Sequence, residues 1–109
     1  MEKLIERGLL FDYYGGLLSE KNKRIYEAAA IDDMSLTEIS EEMGISRQAV
    51  SETLKRTDDK LKGYERELKL IYRARKLEEE IEKLKLIPEG KPVDKKELDG
   101  IIKRIEEAI

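Results

Sequence analysis

The sequence predicts an all-α protein, and three observations carry that expectation. Charged residues make up 43% of the 109-residue chain and apolar ones 39%, with only two prolines to interrupt helices, a composition suited to solvated amphipathic helices. Apolar residues recur at three- and four-residue spacing, the period of a helix face rather than the alternation of a strand. Ser35 with Glu38, and Asp94 with Glu97, each place a capping oxygen three residues ahead of a glutamate, the pairing that opens helices.

The elements follow in order. Over 2–14, Leu4, Ile5, Leu9, Leu10, Phe11 and Tyr14 predict a helix with one broad buried face, which Gly8 weakens slightly. Gly15-Gly16 ends it and turns the chain. Ser19 then caps a helix over 20–31, with Leu18 as a hydrophobic staple. Ile25, Ala28 and Ala29 face inward with Tyr26 beside them, and Lys21, Lys23 and Arg24 face outward. Asp32-Asp33 closes the segment. Adjacent side chains diverge and no further carboxylate stands at a metal-loop spacing, so turn chemistry is favoured over metal ligation.

Residues 35–56 predict two short helices joined by a tight turn. Ser35 caps the first, whose buried face is Leu36, Ile39 and Met43. Gly44 stands where a chain leaving a helix often needs a positive φ. Ile45 turns inward, Ser46 caps again, and Val50 and Leu54 carry the apolar face of the second helix. This is the outline of a helix-turn-helix, whose second helix enters the major groove of DNA; a plain αα-hairpin of the same spacing is the competing reading. Off the Val50 and Leu54 face lie Arg47, Gln48, Ser51, Glu52, Lys55 and Arg56. Arginine and lysine pair with guanine edges and glutamine with adenine, while serines at helix starts suit phosphate. The candidate nucleic-acid face is therefore Ser46, Arg47, Gln48, Ser51, Lys55 and Arg56. Glu52 within it, Glu38, Glu41 and Glu42 before it, and Asp58-Asp59 after it repel phosphate. They argue against strong stand-alone DNA affinity and keep a solvated helix surface, or RNA or protein binding, as alternatives.

From Arg47 the pattern runs helically to Ile87, with Gly63 as the weak point. Two apolar seams appear: Leu54, Leu61, Tyr64, Leu68, Ile71 and Tyr72, then Leu70, Ala74, Leu77, Ile81, Leu84 and Ile87. At about 100° per residue, Leu61 and Leu77 lie roughly 160° apart. The first seam is expected to close the helix-turn-helix core, and the second to meet the C-terminal tail or another subunit. Lys62, Arg66, Lys69, Arg73 and Lys76 recur at helical spacing as a basic stripe, with Lys55 in line, able to track an RNA backbone. The competing reading is an exposed face paired with glutamates such as Glu65 and Glu67. Pro88 to Pro92 is a stop and turn, and Asp94 opens a last helix whose apolar side is Leu98, Ile101, Ile102, Ile105 and Ile109. It is expected to fold back antiparallel as a hairpin and to favour a homodimer. Residues 1–62 thus read as a helix-turn-helix domain, and 63–109 as a helical arm and C-terminal hairpin packing on the head or on a second subunit.

Cysteine and histidine are both absent, which excludes disulfides and thiolate metal sites and removes the usual general base near neutral pH. No phosphate loop or paired-carboxylate site stands out, so neither an enzyme nor a bound cofactor or metal is expected. No run approaches the ~20 apolar residues that span a bilayer, and residues 1–7 lack a signal-peptide core; the expectation is a cytoplasmic chain with no membrane insertion. A net charge of −3 from 22 basic and 25 acidic residues argues against a histone-like role.

Three blocks in order carry a further resemblance: Leu10-Phe11-Asp12-Tyr13-Tyr14-Gly15-Gly16-Leu17-Leu18-Ser19-Glu20-Lys21, then Asp32-Asp33-x-Ser35-Leu36-x-Glu38-Ile39, then Ser46-Arg47-Gln48-Ala49-Val50. Over about 4–68 the chain resembles the YlxM-type proteins, small bacterial helix-turn-helix proteins similar to region 4 of sigma factors. It departs where that family usually carries bulkier residues than Ala28-Ala29-Ala30, and alanine rather than Ser40. The expected architecture is all-α, a four-helix head of winged-helix-like class without the wing that carries the sigma-region-4-like motif, followed by the long helix and C-terminal hairpin that the residues themselves predict. The resemblance implies association with the signal recognition particle as an accessory or regulator, with the particle's RNA and its GTPase subunit as partners. A DNA-binding transcriptional regulator is the alternative, and a purely structural dimer module a third reading.

Overall fold

The computed structural model describes residues 3–109, and the described residues form six α-helices and no strand. The all-α expectation holds. The packing divides the chain into two compact units, Met1–Leu68 and Lys69–Ile109.

The first unit holds α1 (Lys3–Tyr14), a 3-10 turn (Gly15–Leu17), α2 (Glu20–Ala30), α3 (Leu36–Met43) and α4 (Arg47–Leu68). Its core is Leu10, Tyr14, Leu18, Ile25, Tyr26, Ala30, Ile39, Val50, Leu54 and Leu61, all buried. The α1 stripe is narrower than the sequence suggests. Leu10 and Tyr14 share it with Arg7 at three- and four-residue spacing, which leaves Leu4 and Ile5 off it, 47% and 55% exposed. Leu36, expected inside, is also exposed, and Ile39 alone anchors α3 deeply. Glu2, expected at the start of the first helix, lies outside the described residues.

Local signals place the motif. Ser35 Oγ accepts the Glu38 N–H while the Glu38 carboxylate accepts the Ser35 N–H, each at 3.1 Å, completing the capping box. Gly44 adopts φ 68°, ψ 32°, the left-handed conformation that a Cβ disfavours. The Ser40 hydroxyl donates to the Ile45 carbonyl at 2.5 Å, so the residue that departs from the family pattern braces the turn. Ser46 Oγ accepts the Ala49 N–H at 3.0 Å and starts α4.

Behind these caps, a polar knot ties three helices. Asp58 on α4, 7% exposed, accepts from Arg7 of α1, with Nη2 2.6 Å from Oδ2. It also accepts from the Tyr26 hydroxyl of α2 at 2.6 Å. Asp58, read from sequence as a surface acid beside the recognition helix, is therefore an internal structural residue.

The long helix breaks, but not at Gly63. That glycine lies inside α4, and the chain leaves the helix at Lys69, which takes φ 56°, ψ 32°. A glycine in a helix interior costs about 1 kcal/mol, and the burial of Leu61 with half-burial of Tyr64 and Glu65 on that turn offsets it. The first seam is interrupted at Lys69: Leu68 and Tyr72 are 44% and 56% exposed, while Ile71, beyond the break, is buried on the helix that follows.

The second unit is an antiparallel hairpin of α5 (Leu70–Lys85) and α6 (Lys95–Ala108). Asp94 caps α6 by accepting the Lys96 N–H at 2.9 Å, two residues on rather than at Glu97. Ile101 is buried, Leu77, Leu98 and Ile105 are half-buried, and Ile81 and Ile102 are exposed. Glu80 is buried on α5 and accepts from Arg104 Nε at 2.5 Å and Lys83 Nζ at 3.1 Å.

Candidate nucleic-acid interface

The exposed surface of α4 begins at its cap. Ser46 uses a lone pair on the Ala49 N–H, which leaves its O–H free to donate. Arg47, Ser51 and Lys55 follow at four-residue intervals, all exposed, and form one stripe along the edge of the Val50 and Leu54 face. Gln48 lies beside them, its amide nitrogen 3.3 Å from the Glu52 carboxylate, so an adenine contact would exchange one acceptor for another. Arg47 and Lys55 have no carboxylate partner among the described residues.

Arg56 does not belong to that stripe. At about 100° per residue it stands well round the helix from Arg47 and Ser51, where it lines a cleft with Lys21, Asn22, Thr53, Thr57 and Lys60, about 260 Å³ in volume. The six residues singled out from sequence thus divide between two surfaces. Lys60, Thr53, Lys21 and Asn22 were not among them. The spacing of Arg56 and Lys60 was the available signal, but only the α2–α4 packing adds the other wall.

The basic stripe is interrupted. Lys62 and Arg66 are on α4, Lys69 occupies the left-handed break, and Arg73 and Lys76 are on α5. The helical register that aligned the five residues ends at Lys69, so they are not one helix face. Lys62 stands 4.0 Å from Glu6, and Lys76 lies 3.6 Å from Glu79 and 5.5 Å from the centre of the Tyr72 ring.

The acids are fewer at this surface than the sequence suggests, because Asp58 is internal and Glu38 is engaged by its cap. The hydrogen bond from Arg7 to Asp58 raises the arginine's pKa further. Burial, then the bond to Asp58, pushes the Tyr26 phenol well above its ordinary range. These groups hold their charge states at any physiological pH and serve as a fixed brace behind α4. Among the described residues, no group of three His, Cys, Asp or Glu could hold a metal ion, and no helix is long and apolar enough to cross a membrane.

A capped α3, a left-handed glycine turn and an α4 whose first turns are exposed and polar define a helix-turn-helix protein. The chain belongs to the family whose model is described as "Putative helix-turn-helix protein, YlxM / p13 like", which matches residues 1–107. It is 37% identical over 106 residues to the UPF0122 protein YlxM of Bacillus subtilis, covering 97% of this chain and 96% of that one. It is 40% identical over 85 residues to a UPF0122 protein of Halalkalibacterium halodurans, 78% of each chain. Against one from Caldanaerobacter subterraneus subsp. tengcongensis it is 46% identical over 77 residues, 71% of this chain and 66% of the relative. The resemblance read from the three sequence blocks is confirmed.

Proposed function

We propose that this protein is a non-enzymatic, cytoplasmic helix-turn-helix accessory of the signal recognition particle pathway that binds the particle's RNA through α4. The observation that carries the nucleic-acid reading is the exposed Arg47, Ser51 and Lys55 stripe, whose two cations have no carboxylate partner among the described residues. Unpaired cations at the start of a supported helix can contact phosphate or base edges without first breaking an ion pair. The pathway rests on the family resemblance, which also points to the particle's GTPase subunit as a second partner. The geometry of α3 and α4 favours a second reading, a DNA-binding transcriptional regulator, because the exposed start of α4 suits a major groove.

The apolar side of the hairpin supports a homodimer. The contact of Glu80 with Arg104 sets the register of α5 against α6. With that register, the helical period brings exposed Leu70 and Ile81 of α5 to the same side as exposed Ile102 and Ile109 of α6. Two such sides packed face to face make a four-helix bundle.

The test is direct binding of particle RNA, duplex DNA and purified GTPase subunit at about 150 mM salt. Arg47→Ala and Lys55→Ala are expected to weaken RNA binding by roughly 1–3 kcal/mol each. Sequence-selective duplex binding without RNA binding would establish the regulator instead. Unchanged RNA affinity in both variants would remove α4 as the contact.

A further inference from the structure

We infer that the cleft between α2 and α4 lined by Lys21, Asn22, Thr53, Arg56 and Lys60 is a phosphate site that grips the backbone of the bound nucleic acid. The inference rests on the nucleic-acid reading above and assigns a second contact, distinct from the stripe on α4.

The chemistry of the lining points to an oxyanion. Three cationic side chains converge with an amide and two hydroxyls, and no carboxylate lines the cleft. Two other clefts of similar or larger size each carry three carboxylates: Glu79, Glu80 and Glu107 in one, Glu27, Asp32 and Glu42 in the other. In a chain with 25 acidic residues and a net charge of −3, three cations gathered without an acid are a specific arrangement. Lys21, Arg56 and Lys60 are exposed, and among the described residues none of them is ion-paired or hydrogen-bonded. Their mutual repulsion is relieved by an anion held between them, and such charge-assisted bonds are stronger than neutral ones.

The placement fits a backbone contact rather than base reading. Thr53, Arg56 and Lys60 follow one another at three- and four-residue spacing along one flank of α4, turned away from Arg47 and Ser51. When a recognition helix lies in a groove, its flanks and the neighbouring helix meet the phosphate walls. Here that neighbouring helix is α2, which supplies Lys21 and Asn22 from its first turn. The walls are firm because Thr57 beneath is buried and Asp58 next to it is tied to Arg7 and Tyr26.

The experiment compares the wild-type chain with a triple variant, Lys21→Gln, Arg56→Gln and Lys60→Gln, all at exposed positions. Binding to RNA hairpins and DNA duplexes of several sequences is followed by fluorescence anisotropy across a salt series. The expected result is an affinity loss of about tenfold or more, equal for every sequence, with a dependence of log K on log salt that is shallower by about one for each phosphate no longer neutralised. In parallel, inorganic phosphate is titrated into the wild type, with the amide NMR shifts of Asn22 and Thr53 as readout. If the wild type binds nucleic acid and the triple variant binds it with the same affinity and salt slope, the cleft assignment is overturned while the proposed function stands. If the wild type binds no nucleic acid yet phosphate shifts Asn22 and Thr53, the proposed function and the backbone source both fall, and the cleft takes free phosphate only. Absence of both responses overturns both.

Discussion

The Arg7 guanidinium of α1 meets the Asp58 carboxylate of α4 at 2.6 Å, across 51 residues of sequence. The same carboxylate holds the Tyr26 hydroxyl of α2, so one acid fixes the helix that carries the candidate interface. Removing it strands a guanidinium and a buried phenol together. Asp58→Ala is expected to lower stability by about 3 kcal/mol, as for other buried pairs deprived of one partner, in urea unfolding followed by helix signal. A loss below about 1 kcal/mol would mean that the pair contributes no more than a surface salt bridge.

Two titrating groups give opposite pH signatures. Burial and then Asp58 raise the Tyr26 phenol above its ordinary value of 10.0. With the folded value above the unfolded one, its contribution is whole below about pH 10 and is lost as pH rises through the folded value. Glu80 behaves the other way. Burial works to raise its carboxyl, but the hydrogen bonds from Arg104 and Lys83 outweigh that and hold it below the ordinary 4.5. Its contribution is present above that value and is lost as pH falls through the lower folded one. Tyr26→Phe should flatten the alkaline limb of the stability–pH curve and Glu80→Gln the acid limb. Superposable curves for either variant and the wild type would contradict the assignment for that residue.

Lys69 gives a prediction whose sign separates two structures. Were 47–87 one helix, Lys69→Gly would destabilise by nearly 1 kcal/mol, the usual cost of helical glycine. At φ 56° glycine instead relieves the clash of a Cβ in the left-handed region, and Lys69→Gly should be neutral or stabilising by up to about 1 kcal/mol. Gly63→Ala should stabilise by about 0.5–1 kcal/mol, because Gly63 is helical and a Cβ there meets only Arg66 at 3.7 Å. Thermal melts of the two variants decide the matter. A destabilising Lys69→Gly would place that residue back inside a continuous helix.

The contrast between these two residues shows what could be read from sequence. The caps at Ser35 and Ser46 and the turn at Gly44 were legible because each uses residues within five positions of one another. The break at Lys69 was not, since lysine is a good helix former and nothing local asks it to take a positive φ. Asp58 was misread for the same reason: its partners, Arg7 and Tyr26, lie 51 and 32 residues away. The face of α4 was legible as far as helical period reaches, which covers Arg47, Ser51 and Lys55. Arg56 needed the packing of α2 to show that, with Lys60 beside it, it faces Lys21 across a cleft.

The hairpin supplies the last prediction. Ile81 and Ile102 are each 45% exposed, on helices that bury only Ile71, Glu80 and Ile101 among their described residues. A two-helix unit of this size has little core of its own, and stable helical units of such length usually complete theirs by association. Glutamate at both positions would put charge at the centre of a packed dimer face, where desolvation is costly. Ile81→Glu combined with Ile102→Glu is therefore expected to halve the mass in light scattering while leaving the Met1–Leu68 unit folded, as judged by the near-ultraviolet signal of Tyr14 and Tyr26. A wild type that is already monomeric across the concentration range, or a variant that keeps the wild-type dimer mass, would refute this face as the dimer contact.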